Sequence, residues 1–125
     1  MKLIDTSNWV EYLRGLESAA GKSTEFLVLR GEAAWCDITL VELWQGVRGA
    51  KEKRELAEME KEISLVPVDS PVWRLASKLA LTSREKGITV PLSDIVIAAC
   101  AVTHHLELEH CDKHFDDLLP LAKSL

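Results

Sequence analysis

The sequence predicts a three-layer α/β fold in which a short, mostly parallel sheet is covered by helices on both faces. Short apolar runs suited to buried strands alternate four times with stretches of helical pattern, and the connections between them are short. A length of 125 residues is typical of one domain that buries its core without a disulfide or a structural metal. We therefore expect a single domain over residues 1–125.

The N-terminal segment predicts the first strand and the first helix. Residues 1–4 are suited to a short strand that runs into Asp5. Three residues with good N-capping side chains follow, namely Thr6, Ser7 and Asn8. The predicted helix stops at Gly15. Its apolar residues are Trp9, Val10 and Leu13.

The next segment predicts a helix, a strand and a second helix. Residues 18–29 form the predicted helix, with Phe26 and Leu29 as its apolar contacts, and residues 33–36 are an apolar run suited to a buried strand. Thr39 opens the helix that follows and Gly49 ends it. The apolar residues of that helix recur at i, i+3, i+4 and i+7 and are Leu40, Leu43, Trp44 and Val47.

The middle of the chain predicts a surface helix, the third strand and an amphipathic helix. Residues 51–63 are strongly charged, and their narrow apolar seam is Leu56, Met59 and Ile63. Residues 65–68 form the third predicted strand. Ser70 and Pro71 then supply an N-cap and a proline at the first position of a helix that ends at Gly87. Its apolar stripe is Val72, Leu75, Ala76, Leu79 and Ala80.

Residues 91–105 predict a helix that starts at Ser93 and is apolar on every side from Ile95 to Val102. Such a helix offers no face to water and has to be buried. Its first turn carries Asp94, and a carboxylate at the mouth of a buried helix is costly unless a charge or a hydrogen bond meets it. We therefore expect a cationic group beside Asp94.

The last predicted elements are a strand over residues 106–110 and a short C-terminal segment broken by Pro120. The longest apolar run is too short to cross a bilayer and Asp5 interrupts any signal-peptide core, so we expect a cytoplasmic protein that does not contact a membrane. The three cysteines have no C-x-x-C spacing. We interpret Cys36 and Cys100 as small buried hydrophobic residues.

The net charge of −5 argues against a protein that holds nucleic acid mainly by a broad basic surface. A nuclease remains compatible with it, because metal ions gathered among acids cancel their charge locally and a small basic rim then contacts the nucleic acid. The candidates for that rim are Arg14, Arg48, Lys51, Lys53 and Arg54.

Four carboxylates fall at the starts or ends of predicted elements: Asp5, Glu42, Asp94 and Asp112. In open α/β sheets, ligands bind beyond the carboxyl ends of the strands. Three of the four also have a purely structural interpretation. Asp94 would complement the helix dipole, Glu42 would complete a capping box with Thr39, and Asp112 would be an ordinary turn residue.

Four segments of the chain carry a family resemblance. They are Leu-Ile-Asp-Thr-Ser at residues 3–7, Thr-Leu-Val-Glu-Leu at 39–43, Leu-Ser-Asp-Ile-Val-Ile-Ala-Ala-Cys-Ala at 92–101 and Cys-Asp-Lys-His-Phe at 111–115. In this order and spacing they resemble the PIN-domain ribonucleases, and most closely the VapC toxins of bacterial and archaeal toxin-antitoxin pairs. The likeness spans nearly the whole chain and implies a PIN-like fold.

The resemblance also implies a site. It makes Asp5, Glu42, Asp94 and Asp112 a metal-binding and catalytic quartet, and it makes Thr6 and Ser7 a polar pair that helps to position the metal site. The family often has threonine two residues before the last acid, whereas this sequence has His110. Asp116 is therefore the alternative to Asp112 as the fourth acid.

The implied chemistry is metal-dependent hydrolysis of RNA. Phosphodiester hydrolysis needs a nucleophile at neutral pH and relief of charge in the transition state, and Mg²⁺, or Mn²⁺ as the alternative, supplies both. Since Mg²⁺ binds only one or two protein carboxylates directly, we assign Asp5 and Asp94 as direct ligands, with Glu42 and Asp112 acting through water. The family further implies an RNA substrate, a VapB-like antitoxin and a homodimer.

Two other functions are compatible with the sequence. One is a PIN-like interaction module that has lost catalysis, against which the intact acids argue. The other is a phosphotransferase with Asp5 as nucleophile, which usually needs a second acid two residues on, where this chain has Ser7. A zinc site is a further alternative, because four histidines lie near Cys111, but their spacing matches no compact zinc signature. Those histidines are His104, His105, His110 and His114.

Overall fold

The computed structural model describes residues 1–125 and contains one four-stranded sheet in which every pair of neighbouring strands is parallel. The strand order is β3-β2-β1-β4, so the first strand lies between the second and the last. The strands are β1 (Lys2–Ile4), β2 (Ala33–Cys36), β3 (Ser64–Val66) and β4 (Glu107–Glu109). The predicted parallel sheet is confirmed, with strand boundaries shifted by up to two residues.

Seven helices connect or follow the strands: α1 (Thr6–Leu13), α2 (Ala19–Leu29), α3 (Asp37–Gly46), α4 (Gly49–Glu62), α5 (Ser70–Glu85), α6 (Leu92–Thr103) and α7 (His114–Ser124). Each crossover between successive strands contains two helices. None of the helices is both long and apolar enough to cross a membrane.

The helices divide between the two faces of the sheet, as the sequence predicts. On one face, α5, α6 and α7 pack on side chains such as Leu3 and Leu108. On the other, α1 to α4 cover a smaller core in which Trp9 of α1 packs against Trp35 of β2, with ring centroids 5.0 Å apart. The sheet is therefore the middle of three layers.

The predicted burial of the apolar helix is confirmed in α6, where seven consecutive residues from Ile95 to Ala101 are buried. Cys36 and Cys100 are free and buried in the same core, as the sequence predicts, whereas Cys111 is exposed. Because α6 is surrounded on every side, its first turn is fixed in position at the edge of the sheet.

Helix α2 buries a different face from the one predicted. Phe26 is 59% exposed and Leu29 is 79% exposed, so neither is a core contact. The buried residues are Ala20, Gly21, Thr24 and Leu27. A Cβ at Gly21 would lie 2.4 Å from the carbonyl oxygen of Leu16, so the small residues permit a close approach that an apolar count does not detect.

Several helices begin earlier than the capping residues predict. Asp5 itself occupies the N-cap position of α1, without a capping hydrogen bond from its side chain. Asp69 rather than Ser70 caps α5, accepting a hydrogen bond from the Val72 N–H. Helix α3 begins at Asp37, so Thr39 lies inside it and is fully buried.

The C-terminal segment is a continuous helix, so the predicted break at Pro120 is wrong. Helix α7 runs from His114 to Ser124 with Pro120 inside it, on an exposed side. The buried residues Phe115, Leu118 and Ala122 pack into the larger core. This packing outweighs the hydrogen bond that the proline removes, a cost of about 3 kcal/mol in a helix interior.

Candidate metal centre

The four predicted acids line one open cavity at the carboxyl edge of the sheet. The lining residues are Asp5, Thr6, Ser7, Val10, Glu11, Glu42, Pro91, Ser93, Asp94 and Asp112. Asp116, the alternative fourth acid, is exposed on α7 and does not line the cavity. The structure thus brings together Asp5, Glu42, Asp94 and Asp112, and their roles as ligands stay a prediction.

Asp5 lies between β1 and α1 and is 3% exposed. Its backbone N–H donates to the carbonyl of Glu109 on β4, at 3.0 Å, so the pairing of the two strands fixes its position. Burial raises the pKa of Asp5, and the Ser7 hydroxyl that donates to it and the nearby backbone N–H groups of Thr6 and Ser7 oppose that rise. The buried Asp5 carboxylate therefore lies at the wall of the cavity, and these donors compensate part of its charge.

Glu42 projects from α3 towards α1. The Thr6 hydroxyl donates to Glu42 Oε1 at 2.8 Å and lies 3.0 Å from the hydroxyl of Thr39. The single Thr6 hydrogen goes to the carboxylate, since a carboxylate can only accept, and Thr39 can then donate to Thr6. Because Thr39 is inside the helix, the capping box predicted for Thr39 and Glu42 is wrong. Glu42 is held at the cavity by a side chain of α1.

Asp94 lies in the first turn of α6, at the end of the buried helix. Burial raises its pKa most, a hydrogen bond from His114 lowers it, and the charges of Asp5 and Asp112 raise it further. His114 Nδ1 lies 3.3 Å from Asp94 Oδ2. The group that meets this carboxylate, where the sequence predicts a cation, is the imidazole of a histidine from the last helix.

Asp112 lies in the loop between β4 and α7. Its Oδ1 accepts a hydrogen bond from the His114 N–H at 2.9 Å and lies 3.3 Å from His114 Nδ1. This local hydrogen bond fixes the side chain at the start of α7. Asp112 consequently faces the same point as Asp94 although eighteen residues separate them in sequence.

Two side chains at this site are not predicted by the sequence. His114 is predicted only as one of the histidines near Cys111, and Glu11 carries no prediction. Glu11 follows Ser7 by four residues on α1, the spacing that places both on one side of a helix. That spacing is the signal by which Glu11 could have been found.

The four histidines do not form one zinc site. His104 Nε2 contacts the carbonyl of Pro67 at 2.9 Å, and the ring of His110 packs on Phe115. His114 alone contacts acids that line the cavity, and its nitrogen and oxygens of Asp94 and Asp112 all lie within 4.8 Å of one another. The donor set of the cavity is mainly carboxylate oxygen, which fits Mg²⁺ or Mn²⁺ better than a structural zinc.

A second groove adjoins the acidic cavity between α1, α3 and α4. It shares Val10 and Glu42 with that cavity and is lined further by apolar side chains including Leu13 and Leu56. Arg14, one of the predicted basic rim residues, lines the same groove. The acidic cavity therefore continues into a partly apolar surface with one nearby cation.

Comparisons with known proteins agree with this architecture. The PIN domain family model matches residues 2–118. Ribonuclease VapC11 of Mycobacterium tuberculosis is 32% identical over 120 residues, which cover 93% of this chain and 90% of that protein. The structure of VapBC2 from Rickettsia felis, bound to a DNA fragment from its promoter, matches with a TM-score of 0.77 at 15% identity. The match covers 94% of this chain and 92% of the solved chain. FitAcB from Neisseria gonorrhoeae has a TM-score of 0.73 at 24% identity, with coverages of 96% and 94%. At these identities the two solved structures share the fold with this chain.

Proposed function

Because the chain belongs to the PIN domain family, we propose that it is a metal-dependent endoribonuclease, the toxin of a toxin-antitoxin pair. The observation that carries the proposal is the convergence of four carboxylates on one cavity at the carboxyl edge of the sheet. The curated relatives that match it are VapC ribonucleases, which supports RNA as the substrate.

The oxygen donors of the cavity fit a divalent cation, with Mg²⁺ as the expected ion and Mn²⁺ as the alternative. When bound, such an ion neutralises charge at the scissile phosphate and makes water a better nucleophile at neutral pH. Asp5 and Asp94 would hold it directly, since both carboxylates have a raised pKa that a cation would reverse. Glu42 and Asp112 would orient water at its edge.

Thr6 and Ser7 act as positioning residues in this proposal. Ser7 donates to Asp5 and Thr6 donates to Glu42, so each hydroxyl fixes the direction of one carboxylate. Both donors belong to the first turn of α1, directly after β1. One turn of helix therefore orients an acid at the end of β1 and an acid within α3.

The proposed antitoxin inhibits by occupying the acidic cavity with a basic side chain. Arginine suits this role because it bonds carboxylates bidentately. The partly apolar groove beside Glu42 would receive neighbouring apolar side chains of the same arm. Solved neighbours include VapBC toxin-antitoxin complexes, which supports a partner of this type. We further propose that the chain forms a homodimer and that it is cytoplasmic. Light scattering of the purified chain tests whether it is a dimer.

Cleavage of RNA by the purified chain tests the function. Mg²⁺ or Mn²⁺ should support cleavage, EDTA should abolish it, and Asp5→Asn should lose it while Asp116→Asn retains it. An inactive interaction module would cleave nothing and still bind its partner. A phosphotransferase would accumulate a phosphoaspartate at Asp5, which mass spectrometry at low pH would detect.

A further inference from the structure

His114 occupies an unusual place for a side chain at the start of a helix. Its Nδ1 lies 3.3 Å from Asp94 Oδ2 and 3.3 Å from Asp112 Oδ1, so one ring nitrogen faces two carboxylates from different elements. Its own backbone N–H holds Asp112 at 2.9 Å. The ring thus lies beside two of the acids that line the cavity.

The spacing of these three atoms is close to that of ligands around one ion. In octahedral coordination with bonds of about 2.1 Å, neighbouring ligand atoms lie about 3 Å apart. The two nitrogen to oxygen distances of 3.3 Å are near that value, and all three atoms lie within 4.8 Å of one another. Small side-chain rotations would suffice to bring them onto one cation.

The ring is also accessible to an entering ion. The side chain of His114 is 44% exposed and that of Asp112 is 38% exposed, whereas that of Asp94 is 14% exposed. The inner ligand is therefore nearly enclosed, and the two outer ligands face solvent. A hydrated cation could reach the cluster without any opening of the fold.

Imidazole nitrogen changes which ion the cluster favours. Mg²⁺ prefers oxygen ligands and keeps several of its waters, whereas imidazole nitrogen suits transition metals. We propose that His114 is a nitrogen ligand that acts with Asp94 and Asp112 on a first-row transition-metal dication, which Asp112 then binds directly instead of through the water it orients beside Mg²⁺. The site would therefore bind such an ion ahead of Mg²⁺. The inference rests on the proposed function only in taking the acidic cavity as the metal site.

An ion pair is the competing explanation of the same contacts. If His114 serves only as an internal countercharge to Asp94 and Asp112, a bound cation has to displace it. Its removal would then leave the cavity more negative and strengthen metal binding. The ligand role predicts the opposite sign, because removal of a ligand weakens binding.

Manganese is the probe that separates the two explanations, since its unpaired electrons report a nitrogen ligand directly. Pulsed electron paramagnetic resonance of Mn²⁺ bound to the unmodified protein should show ¹⁴N coupling, and His114→Gln should abolish that coupling. Calorimetry should show the affinity for Mn²⁺ falling about tenfold or more in the variant, the scale on which groups that orient metal ligands act. The affinity for Mg²⁺ should change by less than about twofold, because Mg²⁺ does not favour the nitrogen.

His105→Asn is the matched control. His105 is exposed, lies outside the acidic cavity and has a φ of 55°, a conformation that asparagine tolerates. This variant should keep both the coupling and the Mn²⁺ affinity. Absence of ¹⁴N coupling in the unmodified protein would overturn the proposal, as would unchanged or tighter Mn²⁺ binding by a folded His114→Gln variant.

The outcome is separable from that of the proposed function. Nitrogen coupling without RNA cleavage in either metal would leave the ligand assignment standing and refute the ribonuclease. Cleavage of RNA in Mg²⁺ without nitrogen coupling to bound Mn²⁺ would refute the ligand assignment and leave the ribonuclease standing.

Discussion

Asp94→Asn should stabilise the metal-free protein and abolish its activity. The substitution keeps the size of the side chain and removes a charge that burial and two neighbouring carboxylates disfavour. Because these effects raise the pKa of Asp94 in spite of His114, the folded state holds its proton more tightly than the unfolded state does. The stability that comes from this bound proton is present at low pH and is lost as the pH rises through the folded pKa.

The expected size follows from linkage and from the helix that the residue begins. A single such group makes the free energy of unfolding fall by at most about 1.4 kcal/mol per pH unit. The asparagine variant does not titrate and so does not lose this stability. It also lacks a favourable negative charge at a helix N-terminus, which contributes about 0.3 to 1 kcal/mol. We expect a net gain of up to about 1 kcal/mol at neutral pH in EDTA, which for a domain of 125 residues raises Tm by about 4 °C.

Thermal melts in EDTA at a series of pH values measure this difference, with Asp116→Asn as the control for removing an acid outside the cavity. The difference in Tm between Asp94→Asn and the parent should appear above about pH 4, near the ordinary pKa of aspartate, and should become constant at higher pH. Saturating Mg²⁺ should stabilise the parent more than the variant. A variant that melts below the parent in EDTA would show that Asp94 mainly stabilises the start of α6, and one that still cleaves RNA would remove it from the site.

Three further outcomes are expected. Thr6→Val removes the hydrogen bond to Glu42, so kcat for RNA cleavage should fall about tenfold to a hundredfold, the usual cost of losing a group that orients the acids of a metal site. Tm should fall as well, because a hydrogen bond to a charged group contributes about 1.5 to 3 kcal/mol to stability. Replacing Arg48 and Arg54 with glutamine should weaken RNA binding and reduce the slope of log K against log salt by about 1.4, the value for two lost contacts to a single strand; an unchanged slope would place the basic rim elsewhere. A peptide of the antitoxin arm should inhibit cleavage only while it retains arginine or lysine, and full inhibition by an arm without either would exclude insertion of a basic side chain.

The sequence predicts the layers of this fold well because each strand and most helices carry a clear pattern of burial. A helix start at Ser93 and the continuous apolar run from Ile95 to Val102 predict a buried helix, and α6 is buried as expected. The predictions that are wrong concern residues whose burial is decided by the packing of whole helices and not by the local sequence pattern. Phe26 and Leu29 are apolar but lie on the outer side of α2, because the inner side needs small residues for close approach to α1.

The sequence predicts which acids form the candidate site but not which side chains contact them. The sequence contains the capping-box pattern of Thr39 and Glu42. The family resemblance makes Thr6 part of a polar pair at the metal site, but no spacing shows that the Thr6 hydroxyl would bind this carboxylate. The contact of His114 with Asp94 depends on where α7 docks on α6. Such contacts between distant segments follow from the packing of whole elements, so spacing along the chain does not reveal them.

The strand order has a consequence for protein synthesis. Strand β1 pairs on one side with β4, the last strand to be made, and Asp5 is anchored through the carbonyl of Glu109 on that strand. Asp112 and His114 follow β4 directly. A nascent chain therefore lacks both the anchor of its first acid and two of the residues around the cavity until nearly all of it has left the ribosome. The acidic cavity is therefore one of the last parts of the molecule to be completed during synthesis.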